Sequence, residues 1–182
     1  MALLAEELVE EWLNRSGYFT IRGVKLGVHE IDLLAIKPGP EDLLCRHLEV
    51  QASVRPVTYF TRLPKEIQKL TGRPGSSAKL RTQRELSAGV DEWVFRKFDQ
   101  PAKQALRDRL VPRQQWSREL VVHHVKHELE VELVRKAGIL VHRLATVLVA
   151  LNQNALLLEG AAGAHLADLV SLTGLDPIQW TG

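Results

Sequence analysis

Two strand-like runs joined by a short block of turn formers constrain this chain more than any other feature. EIDLLAIK (30–37) and LLCRHLEVQAS (43–53) are rich in β-favouring residues, and PGPED (38–42) stands between them. Proline and glycine at such spacing end a strand and reverse the chain, so the two runs must pair as an antiparallel hairpin. YFTIRGVKL (18–26) precedes them across a GVH turn and adds a third strand, giving a meander. Ahead of the meander, residues 2–15 repeat Leu4, Leu8 and Trp12 at helical spacing, with Gly17 placed to close the helix.

The pattern changes after residue 118. ELVVHHV (119–125) reads as a strand, HELEVELVRKAG (127–138) as a helix closed by Gly138, ILVHRL (139–144) as a strand and ATVLVALNQN (145–154) as a helix. A β-α-β-α order implies parallel, buried strands with a right-handed crossover. Between the two halves, residues 55–118 show no strand pattern. LPKEIQKL, VDEWVFRKF and PAKQALRDRL read as helices, the last with Pro101 in its first turn, and TGRPGSSAK reads as exposed loop. One further helix is expected over 161–175. The expected architecture is one α/β domain over 1–182, with a mixed sheet between helical layers and 55–118 as a basic, mainly helical insertion.

Charge is unevenly spread. From Arg55 to Arg118 there are fifteen Lys/Arg against six Asp/Glu, whereas the rest of the chain has nine against sixteen. A basic middle beside an acidic remainder suits a polyanion such as DNA, with Arg55, Arg62, Lys65, Lys69, Arg73, Lys79, Arg81 and Arg84 as expected phosphate contacts. The single cysteine, Cys45, excludes an internal disulfide framework and fits a reducing, cytoplasmic setting. MALLAEELVEEWL lacks the basic start of a signal peptide, and no apolar run of roughly 18 residues is free of charge, so no membrane partner is expected. A homodimer is compatible with the sequence.

The hairpin carries chemistry. His47, Glu49, Gln51 and Ser53 alternate onto one side of the third strand, and the turn brings Asp32 beside Glu49. Two adjacent carboxylates repel, and a hard divalent cation such as Mg²⁺ relieves that with oxygen ligands. The Val50 carbonyl could add an oxygen, and Gln51 could hold a water.

Helix, strand, EID strand and ExQ strand together resemble the PD-(D/E)xK nuclease superfamily, the restriction-endonuclease-like fold. The order of the first three strands is closest to its archaeal Holliday-junction-resolvase and very-short-patch-like members. The resemblance covers residues 6–53 by motif, and 119–144 agrees with the family topology. It implies a three-layer α/β/α fold and Mg²⁺- or Mn²⁺-dependent phosphodiester hydrolysis. Asp32 and Glu49 match the two metal carboxylates, Glu6 matches a helix glutamate used by some members, and Glu11 lies at the opposite edge of the same helix's apolar arc. Two positions depart from the pattern: Ile31 replaces a proline, and Gln51 replaces the motif lysine. Lys25 and Arg55 are the candidates for the missing cation. The alternative is a nuclease-like module without catalysis that binds nucleic acid or a protein.

Other clusters carry less. His123, His124 and His127 lack the spacing of a zinc site. Cys45 and His47 read as strand neighbours rather than a nucleophile pair. Tyr59, Phe60 and Arg62 could stack on a base or pack a loop. No phosphate-binding glycine loop and no base-reading motif is present.

Overall fold

The computed structural model describes residues 2–52, 58–153, 156–161, 165 and 168. Helix α1 (Ala2–Arg15) leads into β1 (Phe19–Leu26), β2 (His29–Pro38) and β3 (Leu43–Gln51), an antiparallel meander as the sequence requires. The reversal after β2 is closed by the Gly39 amide donating to the Asp42 carbonyl at 2.8 Å. Then come α2 (Lys65–Thr71), α3 (Gln83–Val94), a π-helical turn (Phe95–Asp99), α4 (Pro101–Leu110), β4 (Trp116–Val122), α5 (Glu128–Lys136), β5 (Leu140–Arg143) and α6 (Leu144–Asn152). The five strands form one mixed sheet in sequence order, with β3, β4 and β5 parallel.

Helices cover both faces. On one side Leu8, Val9 and Leu13 of α1 and Val147 and Leu151 of α6 pack on Leu33, Leu48, Val50 and Val121. On the other, Val90 and Trp93 of α3, Phe98 of the π turn, and Val131 and Val134 of α5 pack on Leu120 and Val122. Parallel neighbours need a crossover, and the chain between β3 and β4 supplies it. The middle segment supplies Val90, Trp93, Val94 and Phe98 to the second of these clusters.

Local chemistry explains several ends. Gly17 and Gly138 follow α1 and α5 with φ of 84° and 78°, a left-handed conformation that glycine adopts without penalty. Pro101 opens α4, where its missing N–H costs nothing. The start of α3 lies seven residues ahead of the helix expected from VDEWVFRKF. Thr82 and Glu85 form a reciprocal capping box there. The fourth strand starts at Trp116 and stops at Val122, so His123 and His124 lie beyond it. The helix expected over 161–175 falls largely outside the described residues.

Candidate active site

Asp32 and Glu49 meet because of strand register. Leu33 stands opposite Leu48, so the next row pairs Asp32 with Glu49. Both side chains leave the sheet on the side of α3 and α4, since Leu33 and Leu48 take the α1 side. Asp32 Oδ2 accepts the Val50 N–H at 2.8 Å, which ties the first carboxylate to the strand of the second. Glu49 is fully buried (0% exposed), and Asp32 is nearly so.

Cations from the middle segment close the cluster. Lys97, on the π turn, makes an ion pair with Glu49 Oε2 and lies 3.8 Å from Asp32 Oδ1. Lys103, on α4, reaches Glu49 Oε1 at 3.1 Å and donates to the Lys97 carbonyl at 2.7 Å. Arg107, one helical turn further on, contacts His47 Nδ1 at 2.6 Å, and His47 Nε2 lies 3.3 Å from Glu49 Oε1. A guanidinium can only donate. His47 Nδ1 is therefore the acceptor, and its Nε2–H points at Glu49.

Electrostatics follow from burial and neighbours. Burial, then the Glu49 charge, pushes the Asp32 carboxyl up to about 7, although Lys97 and the Val50 amide oppose this. Burial, then Arg107 and Lys103, holds His47 well below its ordinary value, so it is neutral. Burial works against the Lys97 charge, but Glu49 and Asp32 outweigh it and the ammonium is held above its ordinary value. Lys103 is shifted down, by burial first, against the pull of Glu49. Glu6, half-buried on α1, is raised by burial, then by Asp32 and Glu30.

The other expected residues fall as follows. Gln51 ends β3, half-buried, two positions beyond Glu49 on the same side. Lys25 is exposed and pairs with Glu30 at 2.5 Å. Arg55 and Ser53 lie outside the described residues. Glu11 turns inward to Arg15 at 2.7 Å and accepts the Ala161 N–H at 2.8 Å, which gives it a structural place. Arg62, Lys65, Lys69, Lys79 and Arg84 are exposed. Arg73 is paired with Glu85. Arg81 is a correction to the expected patch. It is buried, donates to the Thr61 carbonyl at 3.0 Å, and lies 4.1 Å from the Tyr59 ring, so it is not presented to a ligand. Tyr59 also stacks on His127, and Phe60 packs edge-on against Trp93, so both aromatics serve the loop base. Among the described residues no group of three or more His, Cys, Asp or Glu is arranged to hold a metal ion.

Lys97, Lys103 and Arg107 were not legible beforehand. Lysine and arginine on a helix ordinarily read as solvent-facing, yet Lys103 and Arg107 are the buried residues of α4. The sequence of α4 points the other way, since Ala102, Leu106 and Leu110 repeat at helical spacing, yet the structure leaves Ala102 and Leu110 exposed and Leu106 half-buried.

Set against protein-family models, curated proteins and solved structures, the chain finds no match in any of the three. Among the described residues no helix is long and apolar enough to cross a membrane.

Proposed function

We propose that this chain is a divalent-metal-dependent DNA nuclease with a restriction-endonuclease-like fold, in which Lys97 stands in for the lysine that Gln51 replaces. The observation carrying this reading is the Lys97 ammonium between the two carboxylates: an ion pair with Glu49 and 3.8 Å from Asp32. A lysine delivered from the crossover restores the two-carboxylates-plus-cation composition without a motif lysine on β3.

The donor set fits a hard cation. Asp32 sits at about 7 because it is buried and, next, because Glu49 lies beside it; a bound cation would favour its ionised form. Asp32 and Glu49, with the Val50 carbonyl, would hold Mg²⁺ or Mn²⁺, and the bound ion would polarise a phosphate and lower the pKa of a water. The chain's own groups do the rest. Asp32 Oδ2 is committed to the Val50 amide, which leaves Oδ1 as the oxygen that would face the ion. Lys97 offsets charge on the phosphate oxygens. Gln51 orients water through its amide, and Lys103 and the His47–Arg107 pair fix Glu49 in place. Exposed Arg62, Lys65, Lys69, Lys79 and Arg84 would hold the DNA backbone.

A second reading is favoured by one observation: both oxygens of Glu49 already have lysine partners in a buried cluster. That arrangement is complete without a metal and suits a silent binding module. Incubating plasmid, single-stranded and branched DNA with the protein in Mg²⁺, Mn²⁺ or EDTA separates the two. The nuclease reading expects metal-dependent cleavage that Asp32→Ala, Glu49→Ala and Lys97→Ala each abolish. Binding without cleavage in either metal supports the silent module, and cleavage that survives both carboxylate substitutions removes the site from the account.

A further inference from the structure

The row of side chains holding the two carboxylates continues onto the edge strand. Arg22 pairs with Leu33 and Val24 with Ile31, so Gly23 stands opposite Asp32. Gly23 has φ of 67°, and a Cβ built on it would meet nothing within 4 Å. The row therefore ends in open space beside Asp32. Its neighbours on the same side of β1 are equally uncovered. Ile21 faces Leu34, which faces His47, and Phe19 faces Ile36, which faces Cys45. Helices α3 to α5 cover this side over β3 and β4 but leave Phe19 77% and Ile21 46% exposed. Lys25 follows on the same side.

We propose that this uncovered side of β1 is a docking platform for an unpaired nucleic-acid strand. A base stacks on Phe19, the sugar rests on Ile21, and the backbone passes over Gly23 to reach Asp32 and Lys97. The inference rests on the nuclease reading for its choice of ligand and deepens it by naming an unpaired strand as the substrate class. Three features favour this occupant. The platform is continuous with the carboxylate–lysine cluster. An exposed aromatic ring offers the kind of face on which sequence-tolerant proteins stack an unpaired base. A phosphate needs close backbone approach, which a side chain at position 23 would block. A second copy of the chain suits this strand poorly, because the left-handed residue in mid-strand interrupts the regular ladder that edge pairing requires.

The test is binding of a fluorescent oligothymidylate and of a duplex of equal length in EDTA, where cleavage does not interfere. Phe19→Ala removes an exposed ring, and its melting curve checks that the fold is unchanged. Phe19→Trp keeps a stacking surface. Gly23→Asn tolerates left-handed backbone while filling the space beside Asp32. Wild type should prefer the single strand. Phe19→Ala and Gly23→Asn should each weaken oligothymidylate binding about tenfold, which corresponds to the loss of one stacked base. Phe19→Trp should bind like wild type, and duplex binding should not change. The proposal is overturned if wild type ignores the oligothymidylate, if Phe19→Ala or Gly23→Asn binds it as tightly as wild type, or if duplex affinity falls in parallel. Sedimentation showing that Phe19→Ala dissociates a dimer would also overturn it by assigning the face to a second copy. Because the assay excludes metal, wild type that binds but never cleaves in Mg²⁺ contradicts the nuclease reading alone.

Discussion

Asp32 couples the site to stability. Its folded pKa of about 7 lies above the ordinary value of 3.8, so the folded protein binds this proton more tightly than the unfolded chain. Stability is therefore independent of this group below about pH 4, declines as pH rises towards 7, and stays reduced above that. Asp32→Asn keeps an oxygen for the Val50 amide and removes the titration. Thermal melts should show the variant more stable than wild type at pH 8, with the gain shrinking to nothing near pH 4. A gain independent of pH would contradict the assignment. Lys97 makes the complementary prediction. Lys97→Met should reduce metal-dependent cleavage about 100- to 1000-fold, the loss seen when one charge-stabilising donor is removed. Gln51→Lys in that background tests whether a lysine on β3 recovers activity by single-turnover assay. The paired carboxylates were readable from sequence because strand alternation and the PGPED turn together set their row. Lys97 was not, because it lies 48 positions along the chain from Glu49 and meets it only through crossover packing.

The two helical layers differ in how openly the sequence announced them. Helix α1 shows a regular apolar repeat, and burial follows it at Ala5, Leu8, Val9 and Leu13, although Leu4 is exposed and Glu11 and Arg15 are buried. Helix α4 inverts the rule: Leu110 is partly exposed while Lys103 and Arg107 are buried against Glu49 and His47. No local pattern predicts this, since the partners that make burial tolerable come from β3. Lys103→Met should therefore cost about 3 kcal/mol or more in urea denaturation, as expected when one partner of a buried ion pair is lost. A cost under about 1 kcal/mol, typical of an exposed lysine, would contradict its buried role. On the other side of the sheet, Glu119 joins Arg46 at 2.5 Å and His142 at 2.6 Å. Burial opposes its charge, but the His142, Arg46 and Ser117 hydrogen bonds outweigh that and hold it at about 2. Its stabilisation is present above about pH 4.5 and lost as pH falls through 2. Glu119→Gln should lower the melting temperature at pH 7, with the difference from wild type narrowing as pH falls towards 2.

At the scale of the whole molecule, a mixed five-stranded sheet between two helical layers places the carboxylates beneath a cationic crossover. The basic residues between Arg55 and Arg118 are not all placed alike. Lys97, Lys103 and Arg107 turn inward to the site, and Arg62, Lys65, Lys69, Lys79 and Arg84 face solvent. Charge counting alone could not make that division, because it depends on which face of each helix meets the sheet. DNA affinity should fall steeply with salt. Combined Lys65→Gln, Lys69→Gln and Arg84→Gln should flatten the slope by about one unit per phosphate contact removed, without altering the Asp32-dependent melts. The central claim is that Asp32 and Glu49 form a divalent-metal site served by Lys97. Anomalous diffraction from Mn²⁺-soaked crystals tests it most directly. The account predicts a peak between the two carboxylates, lost in Asp32→Ala. Well-ordered carboxylates with no peak, and the Lys97 ammonium still on Glu49, would contradict it.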